Sequence, residues 1–177
     1  MDGSAGDGRT VYGRVVPYGE TIEFRDHDGT MKRERFVKGA LANMVRSWRR
    51  VTLAFEHGGG FHNTIGYGRE LLERDDGGYA TFRLYERDAD KAREMLTESH
   101  RGLSLEFLPM GRDVLEAGVI LRQRVHVERV AVVTDPAYLG AGVLAVRSSD
   151  VEPIESEGTP NLDQALAILA EVRRSRS

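Results

Sequence analysis

Apolar and polar residues alternate along much of the chain with the two-residue period of half-buried β-strands. In the segment GLSLEFL, this period places Leu103, Leu105 and Phe107 on one face and Ser104 and Glu106 on the other. The same reasoning predicts strands over residues 10–18, 51–55, 64–73, 78–85, 102–108, 113–121, 122–133 and 143–146. A run of Asp and Gly at 75–78 is typical of a hairpin turn between two of these strands.

Three other segments have the spacing of amphipathic helices with one buried face. The first covers residues 35–48, and the second covers 89–100 with Asp88 as its expected N-cap. The third covers 162–173 and follows Asn161 as its expected cap.

Roughly seven strands with two inserted helices predict an α+β fold, a closed or nearly closed antiparallel β-barrel ringed by helices. The barrel domain is predicted to cover residues 10–146, after a loose start at 1–9. The stretch 147–160 is rich in Ser, Glu and Pro and indicates a linker. Residues 161–177 are predicted to form a C-terminal helical tail.

Composition narrows the chemistry that this chain can perform. The net charge of -3 and the pI of about 6.0 supply no broad basic field, so nucleic acid is not an expected partner. No apolar run has the length of a membrane span or of a signal-peptide core. The absence of cysteine excludes disulfides, thiolate zinc sites and a cysteine nucleophile. An enzyme of this composition without a cofactor would use Ser, Thr, Lys, a carboxylate or an activated water.

His57 and Ser104 are the leading candidates for catalytic residues. His57 follows the apolar strand 51–55 and precedes three glycines, which anchors an imidazole yet leaves it open to a substrate. Ser104 lies on the polar face of its strand. Each residue alone also fits an ordinary surface position.

The third member of a catalytic set has two candidates on the strand 122–133. His126 and Glu128 are two residues apart and therefore share a face. Either could orient the ring of His57, and a carboxylate does so best because it also stabilises the imidazolium. Together with Arg122 and Arg124, they also fit a plain solvated stripe.

A metal site is a weaker alternative. Glu56, His57 and His62 are near each other in sequence, but their spacing does not match the HExxH pattern of metalloproteases. No metal or cofactor is expected.

Taken together, these segments resemble the prohead maturation proteases of tailed phages. The resemblance covers about residues 10–146 and depends on sequence elements in a fixed order. They are TVYGRVVPYG, FVKGAL, LAFEH with the histidine, IGYGRELLERDDGGYATFRLY, a helix, GLSLEF with the serine, and VERVAVVTDPAYLGAGV, in which an acid and a short apolar strand precede Pro-Ala. The serine box departs mildly from the family, because Leu105 stands where Ile or Val is usual.

The resemblance implies a fold similar to the herpesvirus assemblins. It also implies a serine protease that cleaves capsid proteins, scaffold proteins and itself inside the immature shell. It makes His57 the base, Ser104 the nucleophile and Glu128 the third member, whereas the assemblins use a second histidine, here His126. Implied partners are capsid protein, scaffold segments and further copies of the chain, with no nucleic acid or membrane. The implied location is the prohead in the host cytoplasm. A non-catalytic scaffold protein of the capsid is the alternative.

The sequence places the tail outside the catalytic domain, because the stretch from 148 to 160 has too little apolar surface to pack. Truncation after Arg147 is therefore expected to preserve hydrolysis of a short peptide and to weaken assembly or substrate recruitment. Peptidase assays and limited proteolysis of the truncated chain, beside the full chain, check this. A truncated chain that unfolds would show that the tail belongs to the core.

Overall fold

The computed structural model describes residues 8–147 except 27, 59 and 112. Apart from Arg147, the predicted linker lies outside these described residues. The predicted C-terminal helix and most of the predicted loose start also lie outside them. Among the described residues, no helix is long and apolar enough to cross a membrane.

Eleven strands build the described part of the chain. They are β1 (Thr10–Pro17), β2 (Thr21–Arg25), β3 (Met31–Phe36), β4 (Thr52–Phe55), β5 (Thr64–Arg74), β6 (Gly77–Leu84), β7 (Gly102–Pro109), β8 (Val114–Glu116), β9 (Val119–Arg122), β10 (Val125–Val133) and β11 (Gly142–Arg147). Seven of them close a barrel in the order β1-β11-β7-β10-β4-β5-β6. The other four form a second sheet in the order β2-β3-β9-β8. The predicted closed barrel is thus confirmed, whereas the sequence pattern missed β2 and β3 and merged β8 with β9.

The prediction of an antiparallel barrel is wrong, because the barrel is mixed. β4 and β10 run parallel, with Thr52 opposite Arg129 and Phe55 opposite Val132. The other pairings in the barrel are antiparallel. A parallel pair needs a long crossover instead of a hairpin, and the chain between β4 and β10 is long enough to supply it.

The inward faces of the barrel strands form one apolar core together with residues between β3 and β4, such as Trp48. Phe36 packs edge-on against Phe107 and Tyr138, with ring centroids 5.0 and 5.6 Å away. On β7, Leu103 is fully buried, and Leu105 and Phe107 pack against the core. The predicted alternation of this strand is therefore confirmed, and Ser104 and Glu106 face outward.

The predicted helix over 35–48 is wrong. Phe36 ends β3, and the segment continues as turns with short 3₁₀ helices at Ala42–Met44 and Trp48–Arg50. The backbone bonds to distant segments instead. Val37 N–H donates to the Arg122 carbonyl, and the Ala40 carbonyl, which a helix would use internally, accepts from Val125 N–H. The apolar residues are still buried, except Val45 at 46% exposure. The helical spacing of these apolar residues thus predicts correctly that they are buried, but it does not predict their backbone conformation.

The one α-helix of the described residues is α1 (Ala89–Glu98), close to its predicted range. Asp88 precedes it, but its carboxylate makes no capping bond and instead accepts from Arg87 Nε at 2.9 Å. A ring of helices around the barrel is not a feature of the described residues.

A buried ionic cluster joins the second sheet to the barrel. Arg122 on β9 is only 8% exposed, and its guanidinium lies 2.7 Å from a Glu34 carboxylate oxygen on β3 and also contacts Asp113. Glu34 accepts a further bond from the Tyr138 hydroxyl at 3.2 Å. Burial and the charge of Glu34 raise the pKa of Tyr138 far above its usual range, so the hydroxyl keeps its proton and donates. The solvated stripe proposed for Arg122 is therefore wrong.

Arg122→Ala is expected to destabilise the fold by about 3–5 kcal/mol, because it leaves Glu34 buried without its charge partner. Arg124→Ala is the matched control, since Arg124 is exposed, and it should change stability by less than about 0.5 kcal/mol. Urea unfolding of both variants measures the difference. Equal losses would show that the cluster contributes nothing specific.

Candidate active site

The outer face of three adjacent strands forms the floor of the candidate site. Ala54 on β4, Ala131 on β10 and Ser104 on β7 lie in one row across the barrel wall. Ala54 and Ala131 are fully buried, and Ser104 is 9% exposed. Because both neighbours of Ser104 in this row are alanines, neither has a side chain long enough to cover the Ser104 hydroxyl.

A row of polar residues lies next to this floor. Glu106 on β7 is opposite Arg129 on β10, which is opposite Thr52 on β4. Glu106 shares the outward face with Ser104 and follows it by two residues, roughly 7 Å along the strand. A Glu106 carboxylate oxygen lies 3.9 Å from an Arg129 guanidinium nitrogen.

His57 reaches this row from the end of β4 through a tight change of chain direction. Glu56 has a φ of 52° and Gly58 a φ of 82°, both in the left-handed region. The Glu56 N–H donates to the Val132 carbonyl at 3.0 Å, which fixes the turn to β10.

The His57 ring contacts Glu106. Its Nδ1 lies 3.0 Å from Glu106 Oε1, and the side chains are 50% and 29% exposed. With its Nδ1 proton donated to the carboxylate, a neutral ring has Nε2 free to accept a proton. The Ser104 hydroxyl makes no hydrogen bond to another described residue, and the bond between a nucleophile and its base often forms only with substrate present.

The predicted pairing of His57 with Glu128 is not what the structure shows. A β-bulge shifts the register between Val127 and Arg129, so Arg129 and not Glu128 faces Glu106. Glu128 is the extra residue of the bulge and is exposed. His126 is also exposed and lies opposite Leu108, farther along β7 from Ser104 than Glu106 is.

Glu106 is the residue that the sequence reasoning missed. The signal was present, since the alternation already put Glu106 on the face of Ser104. The resemblance implies Glu128 instead, and the bulge that turns Glu128 away from Glu106 leaves no mark in the alternation of the strand.

His62, the other candidate metal ligand, is exposed in a 3₁₀ segment, Gly60–Asn63. Within the part of the chain that the structure describes, no three His, Asp or Glu side chains converge as metal ligands. Glu56, the third residue of that hypothesis, contacts His100.

Comparisons with protein-family models, curated proteins and solved structures find no match for this chain. The function proposed below therefore depends on the residues of the site and on the resemblance given above.

The geometry predicts that Glu106→Gln changes the NMR signals of the His57 ring, because the charged partner of Nδ1 is lost. Glu128→Gln is the matched control and should leave those signals in place. The Nδ1 proton and both ring nitrogens of ¹⁵N-labelled protein report the result. A His57 ring that responds to Glu128→Gln instead would restore the original pairing.

Proposed function

We propose that the chain is a serine endopeptidase in which Ser104 is the nucleophile, His57 the general base and Glu106 the orienting acid. The observation that carries this proposal is the contact between His57 Nδ1 and Glu106 Oε1 at 3.0 Å, on the face that also presents Ser104. Nucleophile and acid lie on β7, and the base reaches them from the end of β4, which is separated from β7 by β10. Glu106 takes the place that the resemblance gave to Glu128.

The chemistry follows from the residue types. His57 Nε2 takes the Ser104 proton as Oγ attacks a peptide carbonyl, and Glu106 stabilises the imidazolium through Nδ1–H. The imidazolium then returns the proton to the leaving amine, and an acyl-enzyme remains on Ser104. Water, deprotonated by the same ring, releases the acid product and restores the serine.

The loop 134–141 is the proposed source of oxyanion-hole donors. Its Pro136 covers the outer face of Gly102, where a Cβ would lie 2.6 Å from Pro136 Cδ. The Ala141 carbonyl accepts from Leu103 N–H at 3.4 Å, so the loop is held against the start of β7. Its backbone N–H groups are thus kept next to the strand that presents Ser104.

The free edge of β7 is the proposed docking place for a peptide. β10 pairs with β7 from Gly102 to Pro109, whereas β11 pairs with it only at Gly102. Leu103 N–H points away from β10, so by alternation the backbone groups of Leu105 and Phe107 do too. An extended substrate could pair with them and bring its carbonyl to Ser104.

The proposed substrates are capsid and scaffold proteins of a tailed phage and the chain itself, cleaved inside the immature shell in the host cytoplasm. This part follows the resemblance, as do helices around the barrel, the helical tail and assembly into a homo-oligomer. Incubation of the chain with its capsid protein, followed by mass-spectrometric mapping of new termini, tests it. A Ser104→Ala chain treated in parallel controls for contaminating proteases.

A non-catalytic scaffold protein is a second candidate, favoured by the exposed apolar residues of the second sheet. Leu115 is 71% exposed, Met31 57% and Val114 42%. Such a surface can bind a partner without any chemistry at Ser104. A fluorophosphonate that labels Ser104 would support the protease, and the absence of labelling would favour the scaffold.

Ser104→Ala and His57→Ala are each expected to abolish peptide hydrolysis and to leave the circular dichroism spectrum unchanged. The double variant should lose no more, because the residues act as one unit. Glu106→Gln is expected to retain some activity but to lower kcat by about 10²–10⁴, since nucleophile and base remain.

Two variants on β10 are the controls for this series. Glu128→Gln and His126→Ala should stay within about twofold of the parent chain, because neither touches His57. Near-normal hydrolysis by Ser104→Ala would refute the serine assignment, and persistence of activity after strong chelation removes the metal alternative.

A further inference from the structure

A second histidine–carboxylate pair lies directly behind the site. Glu56, the residue before His57, places a carboxylate oxygen 3.2 Å from Nε2 of His100. His100 stands four residues before Ser104, at the junction of α1 and β7. The pair therefore connects the chain segment that carries the base to the one that carries the nucleophile.

The surroundings of His100 fix its orientation. Ser99 Oγ lies 2.8 Å from His100 Nδ1, so a ring that accepts there carries its proton on Nε2 and donates it to Glu56. The His100 side chain is only 17% exposed, and its ring packs edge-on to Phe55 at 5.9 Å. The backbone N–H of His100 donates to the Met95 carbonyl at 2.7 Å, which ties the residue to α1.

The contact between Glu56 and His100 helps to hold an unusual backbone conformation at Glu56. Glu56 has a φ of 52°, which is unfavourable for a residue with a side chain. Gly58 in the same turn also has a positive φ, which glycine adopts without strain. Glu56 has two tethers outside the turn, its N–H on the Val132 carbonyl and its carboxylate on His100. The direction in which the next residue, His57, projects depends on that conformation.

We propose that His100 is a positioning residue that, through Glu56, holds His57 over Ser104 and Glu106. The inference rests on the proposed protease function. His100 touches no substrate and takes no proton in the reaction. Its effect is on geometry, because a base displaced by about 1 Å can lose roughly a hundredfold in rate.

The kinetic test uses three single variants of the pair and one double variant. His100→Phe keeps a ring against Phe55 but removes both hydrogen bonds, and Glu56→Ala removes the carboxylate at the same strained φ. Each is expected to lower kcat by roughly tenfold or more with KM within about twofold. The double variant should be no worse than the poorer single, since both break one contact. His100→Gln restores an N–H donor near the position of Nε2 and should recover most of the rate.

Glu98→Ala is the matched control, because Glu98 is exposed at the end of α1. It should leave kcat unchanged. Melting temperatures of all variants show whether the fold survives. Glu56 is the more exposed partner, so Glu56→Ala decides the question if His100→Phe does not fold.

The NMR signal of the His57 Nδ1 proton tests the positioning without any proteolysis. It should shift or broaden in Glu56→Ala and His100→Phe and stay in place in Glu98→Ala. If the parent chain hydrolyses nothing but this response is seen, the protease function fails while the positioning holds. An unchanged His57 signal in Glu56→Ala overturns the inference, as does unchanged kcat or a His100→Gln variant as slow as His100→Phe.

Discussion

The parallel pairing of β4 with β10 is the constraint on which the candidate site depends. β10 has β4 on one side and β7 on the other, so their outward residues meet in common rows. The row of Ala54, Ala131 and Ser104 makes the floor, and the row of Thr52, Arg129 and Glu106 makes its polar border. Because β4 runs parallel to β10, it ends beside Val132, and the turn at Glu56 brings His57 back toward Glu106.

A second constraint is a charge that is buried together with its partners. Arg122 and Glu34 belong to adjacent strands of the second sheet, and Tyr138 comes from the loop before β11. Removing one member leaves the others buried without a charge partner in a low-dielectric interior. Such clusters are therefore sensitive to single substitutions. The cluster anchors the loop that also covers Gly102, so the second sheet supports the site without touching it.

The sequence pattern predicted the barrel strands well because each has one buried face, and it failed where tertiary structure overrides local pattern. Phe36, Ala40 and Trp48 have helical spacing and are buried, yet no helix forms there because the backbone is used by neighbouring segments. The four residues of β4 do not indicate whether the strand runs parallel or antiparallel to its neighbour. For the site, His57 and Ser104 follow from position and residue type, whereas the choice between Glu106 and Glu128 depends on a bulge that alternation cannot reveal.

During the proposed reaction Glu106 lies between two cations, Arg129 and the protonated His57. This arrangement determines the role of the carboxylate. Arg129 lies 3.9 Å away with 24% side-chain exposure, so its attraction is screened and modest. It favours a fixed rotamer of Glu106, but it also competes for the charge that stabilises a protonated His57. Glu106 therefore acts first as a holder of the Nδ1 tautomer. Ser104, Glu106 and Arg129 all project from rigid strands, whereas His57 projects from a strained turn beyond one. The precision of the site is thus set by what fixes that turn, which is the contact of Glu56 with β10 and with His100.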